Sequence, residues 1–593
     1  MQTLKISYDV FSEEWYKKVE EFVLGEFRFN EEQKKFIYYF NSSIIEAGPG
    51  SGKTTALAAK VALLLKKIEE EGSLVGVCVI THTNAAVDEI LKVLKKLGYK
   101  DIPHPHFIGT IHSFFNKYLL PKIFCTEISN ASLRFVERIP DWEYRKFIKQ
   151  KNYWLSEGPL TNVLRRLKAV NYNIELFPFR VKTENTEAWD KYSNYKDTFN
   201  YAIRERITKG LLLHDDTLKI TNQFLKQNEY IHKILTNRFQ YVLVDEYQDT
   251  DQESLRQLIN IYNNEENVIQ LIGDLNQHIY YDITPFKKAN MPTYRINITN
   301  RFGDKIINPL NRMFEGNLTA KDPNKSIKPI LYLYKTPESL VMDYTEILNR
   351  HKIQFKRNMP NILVAEHIHA QHMKQKTSNV TQKNSKMNLQ IALDEIYKIF
   401  VNRTNAHVQS IKSMLINEYK NYNIEINKSL IDYFRGDLNS LNKLKDSINS
   451  FLNALGATSQ INLSNSLFVK IKSLKDLNDN VVKEDGSIIQ TKTVHNVKGQ
   501  TLKANMVYLA ENSVEEYGFL DSYNMSLPRP DMYREIDKRV VYVAMSRATT
   551  HLVIALHENT YKLLTKDTRM KLREDFKILK SNKKIEANMI KSN

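Results

Sequence analysis

Residues 47–55 read Ala47-Gly48-Pro49-Gly50-Ser51-Gly52-Lys53-Thr54-Thr55, directly after the apolar pair Ile44-Ile45. A phosphate-binding loop needs backbone N–H groups turned inward, and small residues allow that turn. Gly48, Gly50 and Gly52 supply the freedom, Pro49 stiffens the turn, and Ser51 and Thr55 complete the cradle. Lys53 sets a cation on the β- and γ-phosphates, and the Thr54 hydroxyl is placed for Mg²⁺. The usual pattern starts with glycine, where this chain has Ala47. A strand before the loop and a helix after it fix the fold to α/β with a parallel sheet.

Downstream, Tyr241-Val242-Leu243-Val244-Asp245-Glu246 is an apolar strand ending in paired acids. With a phosphate loop upstream, Asp245 is expected to hold Mg²⁺ and Glu246 to polarise an attacking water. These motifs predict hydrolysis of a nucleoside triphosphate, with ATP and Mg²⁺ as cofactors. Upstream of the loop, Gln33 has an amide that can pair with an adenine edge in both directions.

The chain has 593 residues, too many for one core, so three or four domains are expected. Its net charge of +17 favours polyanion partners, chiefly nucleic acid. Two cysteines, Cys78 and Cys125, exclude a disulfide scaffold and a four-cysteine metal site. Cys78 lies in the apolar run 75–80 and reads as a buried thiol. No apolar run reaches the ~20 residues of a membrane span, and the start Met1-Gln2-Thr3-Leu4-Lys5 does not read as a signal peptide. We expect a cytoplasmic protein with no membrane partner.

Strands are predicted at 43–46, 74–80, 241–244, 268–272, 294–298, 362–365, 506–510 and 551–556, and helices at 56–70 and about 85–97. Residues 116–212 carry dense aromatics and lysines, including Trp142, Tyr144, Tyr153, Trp154, Tyr172, Trp189, Tyr192 and Tyr195, without strand signals. Core packing is the ordinary expectation at any one of them. A second polar helical stretch covers 370–485, with a soft segment at 374–386 and a turn at 484–486. The order is sheet, helical insertion, sheet, twice over.

Further motifs follow in order: Thr81-His82-Thr83-Asn84-Ala85-Ala86, Gly109-Thr110-Ile111-His112-Ser113-Phe114, Gly273-Asp274-Leu275-Asn276-Gln277-His278-Ile279-Tyr280, Thr299-Asn300-Arg301, Thr493-Val494-His495-Asn496-Val497-Lys498-Gly499 and Tyr542-Val543-Ala544-Met545-Ser546-Arg547-Ala548. With the loop and the paired acids, these eight segments resemble, in order, the motifs of the UvrD/Rep-type superfamily 1 DNA helicases and translocases. The resemblance runs from about Phe29 to Ala555 outside the two insertions. It implies two RecA-like P-loop NTPase cores, each with a mostly helical insertion. Core 1A would comprise 1–115 and 213–298, insertion 1B 116–212, core 2A 299–369 and 486–575, insertion 2B 370–485, and a basic C-terminal tail 576–593. The chain ends soon after the last motif, so a compact form without a fused nuclease domain is expected.

The resemblance also implies roles. Gln277 would sense the γ-phosphate, and Arg301 and Arg547 would reach it as arginine fingers. Thr81, His82, Thr83, Asn84, Thr110, His112, Ser113, Tyr280 and His495 would contact DNA, with hydroxyls on phosphates and rings on bases. The family usually has an aromatic where this chain has His82, and an aromatic and arginine where it has Tyr281-Asp282-Ile283, with Tyr281 or Phe286 as substitutes. Gln500-Thr501 stands where a ribose-binding glutamate is common. The implied activity is an ATP-driven 3′ to 5′ motor on single-stranded or tailed duplex DNA, in repair, recombination or anti-phage defence. Two alternatives stay open: a DNA-sensing ATPase subunit regulating a partner nuclease, and an RNA motor.

Overall fold

The computed structural model describes residues 9–99, 101–136, 139, 141–184, 195–280, 291–314, 316–351, 353, 360–366, 385–404, 415, 419–434, 437, 439–455, 460–464, 466–472, 489–525 and 528–580. In chain order the strands are β1 (Ser43–Ala47), β2 (Gly76–Thr81), β3 (Phe107–Thr110), β4 (Arg134–Phe135), β5 (Tyr172–Leu176), β6 (Phe179–Thr183), β7 (Leu211–Leu212), β8 (Phe239–Asp245), β9 (Val268–Gly273), β10 (Thr293–Ile296), β11 (Ile298–Thr299), β12 (Thr319–Ala320), β13 (Ile330–Tyr334), β14 (Asn361–Val364), β15 (Gln490–Thr493), β16 (Leu502–Tyr508), β17 (Ala548–His557) and β18 (Lys577–Lys580).

Six of them form an all-parallel sheet in the order β10-β1-β9-β8-β2-β3. Side chains alternate across it because the strand period is two. Cys78 and Ile80 face one hydrophobic core, shared with Val242, Val244 and Leu271. Val77 and Val79 face another, shared with Ile45, Leu243 and Ile272 and with the helix Lys53–Glu70. Both faces are covered, so the central strands read as unbroken apolar runs. A second all-parallel sheet runs β15-β14-β16-β17-β13-β18. These are the two RecA-like cores of an α/β fold. Residues 337–352 and 371–489 form a compact unit apart from the rest of the chain. Its helices include Leu340–Arg350, Ser385–Thr404, Lys420–Phe434 and Ser440–Ala454, and its core includes Ile396, Phe400, Leu430, Ile448 and Phe451. Residues 337–352 thus group with the second helical stretch rather than with the sheet on either side. No described helix is long and apolar enough to cross a membrane.

Several sequence expectations need correction. Residues 116–212 are mostly helical but hold strands, in a parallel pair β4–β7 and an antiparallel hairpin β5–β6. The hairpin's signal was the alternation in Tyr172-Asn173-Ile174-Glu175-Leu176, whose odd members are hidden by the aromatic density around them; Tyr172, Ile174 and Leu176 are buried. The expected strand 294–298 is two. β10 closes the first sheet and β11 pairs with β12. β3, β13, β15 and β18 were not anticipated, and β18 occupies the start of the expected C-terminal tail. Of the eight aromatics named above in 116–212, Tyr144 and Tyr172 are buried, whereas Trp142, Tyr153 and Trp154 are exposed. Trp189, Tyr192, residues 374–384 of the soft segment and the turn 484–486 lie outside the described residues, while residues 385 and 386 of that segment begin the helix Ser385–Thr404.

The helical insertion 116–212 is tied down by a fully buried ion pair. The Arg206 guanidinium donates to both carboxylate oxygens of Asp216, to the Leu211 carbonyl 2.9 Å away and to the Tyr172 hydroxyl at 3.0 Å. Removing one partner strands the other charge away from water. Asp216→Ala should therefore cost about 3–5 kcal/mol, read as an earlier urea transition of this segment in tryptophan and circular-dichroism signals.

Candidate functional site

The phosphate loop lies at the carboxyl end of β1, where β8, β9 and β2 also end, which is where open parallel sheets bind ligands. Gly50 and Gly52 adopt φ of +75° and +76°, a region costly for any residue with a Cβ. Space enforces this too. A Cβ on Gly50 would lie 2.3 Å from Arg301 Cβ, and one on Gly52 2.6 Å from Gln33 Nε2. The loop is thus gripped from both sides. The Thr299 hydroxyl donates to the Pro49 carbonyl at 2.9 Å and the Asn300 N–H to the Gly50 carbonyl at 2.9 Å. Gln33 donates to the Ser51 carbonyl at 2.7 Å and accepts from the Asn30 N–H at 2.9 Å. Both ends of the Gln33 amide are therefore engaged within the protein, and an adenine edge would have to displace these bonds.

Lys53 opens the helix Lys53–Glu70 and its ammonium lies 3.1 Å from each carboxylate oxygen of Glu246. Burial works against the Lys53 charge, but Glu246, Asp245 and Asp274 together hold its pKa above the usual value. Glu246 takes the left-handed backbone (φ +51°) straight after β8, and Gln248 Nε2 donates to its carboxylate. Burial opposes its charge too; Lys53 and Lys498 outweigh it and keep Glu246 ionised. Asp245 differs. Burial, and then the Glu246 charge, push its carboxyl upward, and neither of its oxygens has a hydrogen-bond partner. A buried, unpartnered carboxylate beside the first turn of the loop helix, with Thr54 and the unpartnered Ser51 hydroxyl, suits a divalent cation. The residues expected to hold Mg²⁺ therefore fit it.

Across the cleft, Arg547 is 1% exposed. Its guanidinium donates to the Gln277 side-chain oxygen at 2.9 Å, to the Ser546 hydroxyl at 2.9 Å and to the Val543 carbonyl at 3.0 Å. Arg301 donates to the Ser546 carbonyl at 3.0 Å. Among the described residues, no carboxylate lies within ion-pair distance of either arginine. Burial, then the neighbouring Arg301, draw the Arg547 pKa down to about 9; burial draws Arg301 to about 10. Both stay charged at neutral pH. A buried and a half-buried guanidinium, one of them on Gln277, make a site for a strongly anionic ligand. Gln277 also donates to Asp274 at 2.8 Å, so its amide is fixed between the two cores. Glu246, Gln277, Arg301, Arg547 and the loop are brought together.

The expected DNA contacts divide. His82, Tyr280 and His495 form a row, with ring centroids 5.6 Å apart for His82–Tyr280 and 5.8 Å for Tyr280–His495. His495 Nε2 meets the Ile279 carbonyl at 2.9 Å. Thr83 and Thr110 accept from the Ala86 and Ser113 N–H groups, capping the helices Asn84–Lys96 and Ile111–Tyr118. Asn84 and Ser113 are exposed at those helix starts, which attract phosphates. The ring of His112 packs 4.9 Å from that of His214. Burial, then His214 and His82, draw its pKa to about 4, so it is neutral near pH 7. Thr81 is the exception. It is 1% exposed and donates to the Thr83 carbonyl at 3.0 Å, so it shapes the turn and does not face a strand. Tyr281, Asp282, Ile283 and Phe286 lie outside the described residues.

Sequence reasoning missed Lys498, although it stands inside a quoted motif, directly before Gly499. Its ammonium binds Asp249 Oδ2 at 2.6 Å and the Gln277 carbonyl at 2.8 Å, and sits 4.7 Å over the Tyr280 ring. One lysine of the second core thus ties the acid motif, the Gln277 turn and Tyr280 of the first. Lys498→Met and Asp249→Asn should each reduce nucleotide turnover. A double-mutant cycle on that turnover should give a coupling of about 1–3 kcal/mol, and additivity would remove the cross-cleft role.

Comparison with known proteins agrees with this geometry. Residues 29–302 match the UvrD/REP helicase N-terminal domain. The chain is 28% identical to the ATP-dependent DNA helicase Rep of Buchnera aphidicola, over 40% of this chain and 36% of that protein. It is 28% identical to DNA helicase II of Haemophilus influenzae, over 46% of this chain and 38% of that one. These alignments thus span well under half of either relative. A probable DNA helicase II homolog of Mycoplasma genitalium is 24% identical over 90% of this chain and 86% of its own length. A phosphate loop gripped between two RecA-like cores fits these likenesses, and residues 29–302 of the chain carry the UvrD/REP helicase N-terminal domain.

Proposed function

We propose that this chain is an ATP-driven motor that moves 3′ to 5′ along single-stranded DNA and unwinds duplex. The observation that carries the reading is the arginine pair, buried Arg547 and half-buried Arg301, with no carboxylate within ion-pair distance among the described residues. A γ-phosphate would supply their missing anion. It would also draw Lys53 off Glu246, leaving that carboxylate to polarise water. Thr54 and Asp245 would hold Mg²⁺, which supplies charge neutralisation at the β- and γ-phosphates. Hydrolysis and release would remove the anion and leave two desolvated cations facing each other, which favours opening. The row His82–Tyr280–His495 spans the same cleft, so opening and closing would move it along a strand. Thr83, Asn84, Thr110 and Ser113 would position phosphates without reading sequence. The substrate implies a cytoplasmic location and a role in DNA repair, recombination or anti-phage defence.

A second reading is a DNA-sensing ATPase subunit that regulates a partner nuclease. The buried Thr81 and the occupied His495 favour it, since both thin out the contacts available to a strand.

Strand displacement on 3′- and 5′-tailed duplexes, run beside Lys53→Ala, separates the readings. The motor predicts ATP-dependent unwinding of the 3′-tailed duplex that Lys53→Ala abolishes. ATPase stimulated by DNA with no displacement would favour the second reading. Arg547→Ala should keep nucleotide binding and lose turnover by about 10³-fold or more, measured as single-turnover hydrolysis beside nucleotide affinity.

A further inference from the structure

The turn after the helix Asp141–Lys151 presents Tyr153 and Trp154 side by side, 86% and 63% exposed. Single exposed aromatics are common on any surface. Here two large rings are adjacent, and the backbone beneath them is held. The Asn152 N–H donates to the Ile148 carbonyl at 2.8 Å and the Leu155 N–H to the Asn152 carbonyl at 3.2 Å. The Asn152 side chain donates to the Thr198 hydroxyl at 2.5 Å. Leu155 is 4% exposed and anchors the far side. The rings therefore stand on a fixed platform rather than on a loose loop.

The surroundings choose the occupant. Lys146, Lys149 and Lys151 are exposed on the last turns of the preceding helix. Between residues 141 and 170 there are seven basic and three acidic side chains. Arg145 and Lys149 share one of those acids, Glu157, and Lys168 pairs with another, Asp141, so three acids face seven cations and the segment keeps an excess of positive charge. Flat π-faces beside a positive surface suit unpaired bases and their phosphates. An apolar protein partner would meet a ring of charge to desolvate.

We propose that the Tyr153–Trp154 turn is a second single-stranded DNA contact, separate from the motif residues of the cleft, on which unpaired bases stack. The proposal rests on the DNA-motor reading above, and its test separates the two. The full chain with Lys53→Ala, which removes hydrolysis, is titrated without nucleotide with a thymidine oligomer about 16 nucleotides long, a typical site size. The chain has four tryptophans, so Trp154 emission is taken as the difference between this protein and its Trp154→Phe version. Stacking predicts quenching of that difference at saturation. Trp154→Ala should weaken the oligomer by about 5- to 150-fold, the range of one base stack, and Trp154→Phe by much less. An unchanged circular-dichroism spectrum checks that the variants fold. Trp154 emission that ignores bound oligomer, or responds equally to a blunt duplex, overturns the stacking site and leaves the motor standing. Failure of the parent protein to bind any single strand would sink both.

Discussion

A guanidinium out of water with no carboxylate beside it organises this molecule. Removing a cation from water costs several kcal/mol, and Arg547 recovers only part of that from neutral acceptors. Its best local support comes from the end of the helix Glu535–Met545, whose last carbonyls carry partial negative charge. Val543 supplies one of them. The Arg547 carbonyl in turn accepts from the Leu502 N–H at 2.9 Å, which pins the residue to β16. Arg547 is thus a fixed part of the second core, and the first core must come to it. The contact it makes there, to Gln277, is an amide. An anion of two or more charges would satisfy it far better.

From that contact a continuous chain of polar groups crosses to the phosphate loop. Gln277 donates to Asp274. The Asp274 N–H donates to the Gln248 side-chain oxygen at 3.1 Å, Gln248 donates to Glu246, and Glu246 pairs with Lys53. The links are buried except at Glu246, which is partly exposed, and burial strengthens each and makes a missing partner expensive. Lys498 joins from the other side, touching Asp249, the Gln277 carbonyl and the Tyr280 ring. The nucleotide end and the aromatic row therefore share the same few residues, and a change at one cannot leave the other untouched.

Much of this was legible in the sequence because the chemistry dictates residue types. Backbone donors aimed at a phosphate need glycine, and two of the loop glycines have positive φ. Buried parallel strands need apolar runs, and β1, β2, β8, β9, β16 and β17 lie close to where those runs predicted. What stayed hidden depends on pairing in space. Thr81 and Thr83 look alike in sequence, yet one hydroxyl is buried against a carbonyl and the other caps a helix. Gln33 reads as an adenine contact because an amide offers a donor and an acceptor; the fold uses both, on Ser51 and Asn30. Lys498 resembles any lysine until the second core places it on Asp249. The hairpin β5–β6 was masked by aromatics that are partly buried in it and partly exposed.

The same short helix that seats Gln33 also limits how the two cores can part. In the helix Glu31–Ile37, one Glu32 carboxylate oxygen accepts from the Asn297 and Ile298 N–H groups at 2.7 and 2.9 Å. These residues sit at the break between β10 of the first sheet and β11, where the chain passes toward the second. Lys60 holds the other end of that helix. Its ammonium is fully buried and donates to the Phe36 and Tyr39 carbonyls and to Gln270, so the helix is bolted to the loop helix and to β9. The first residues of the crossing are therefore immobile relative to the phosphate loop. The next two residues, Thr299 and Asn300, in turn grip Pro49 and Gly50. The first residues past the crossing are thus also a wall of the phosphate loop, so the seating of Arg301 and the shape of the loop are set by one segment of chain.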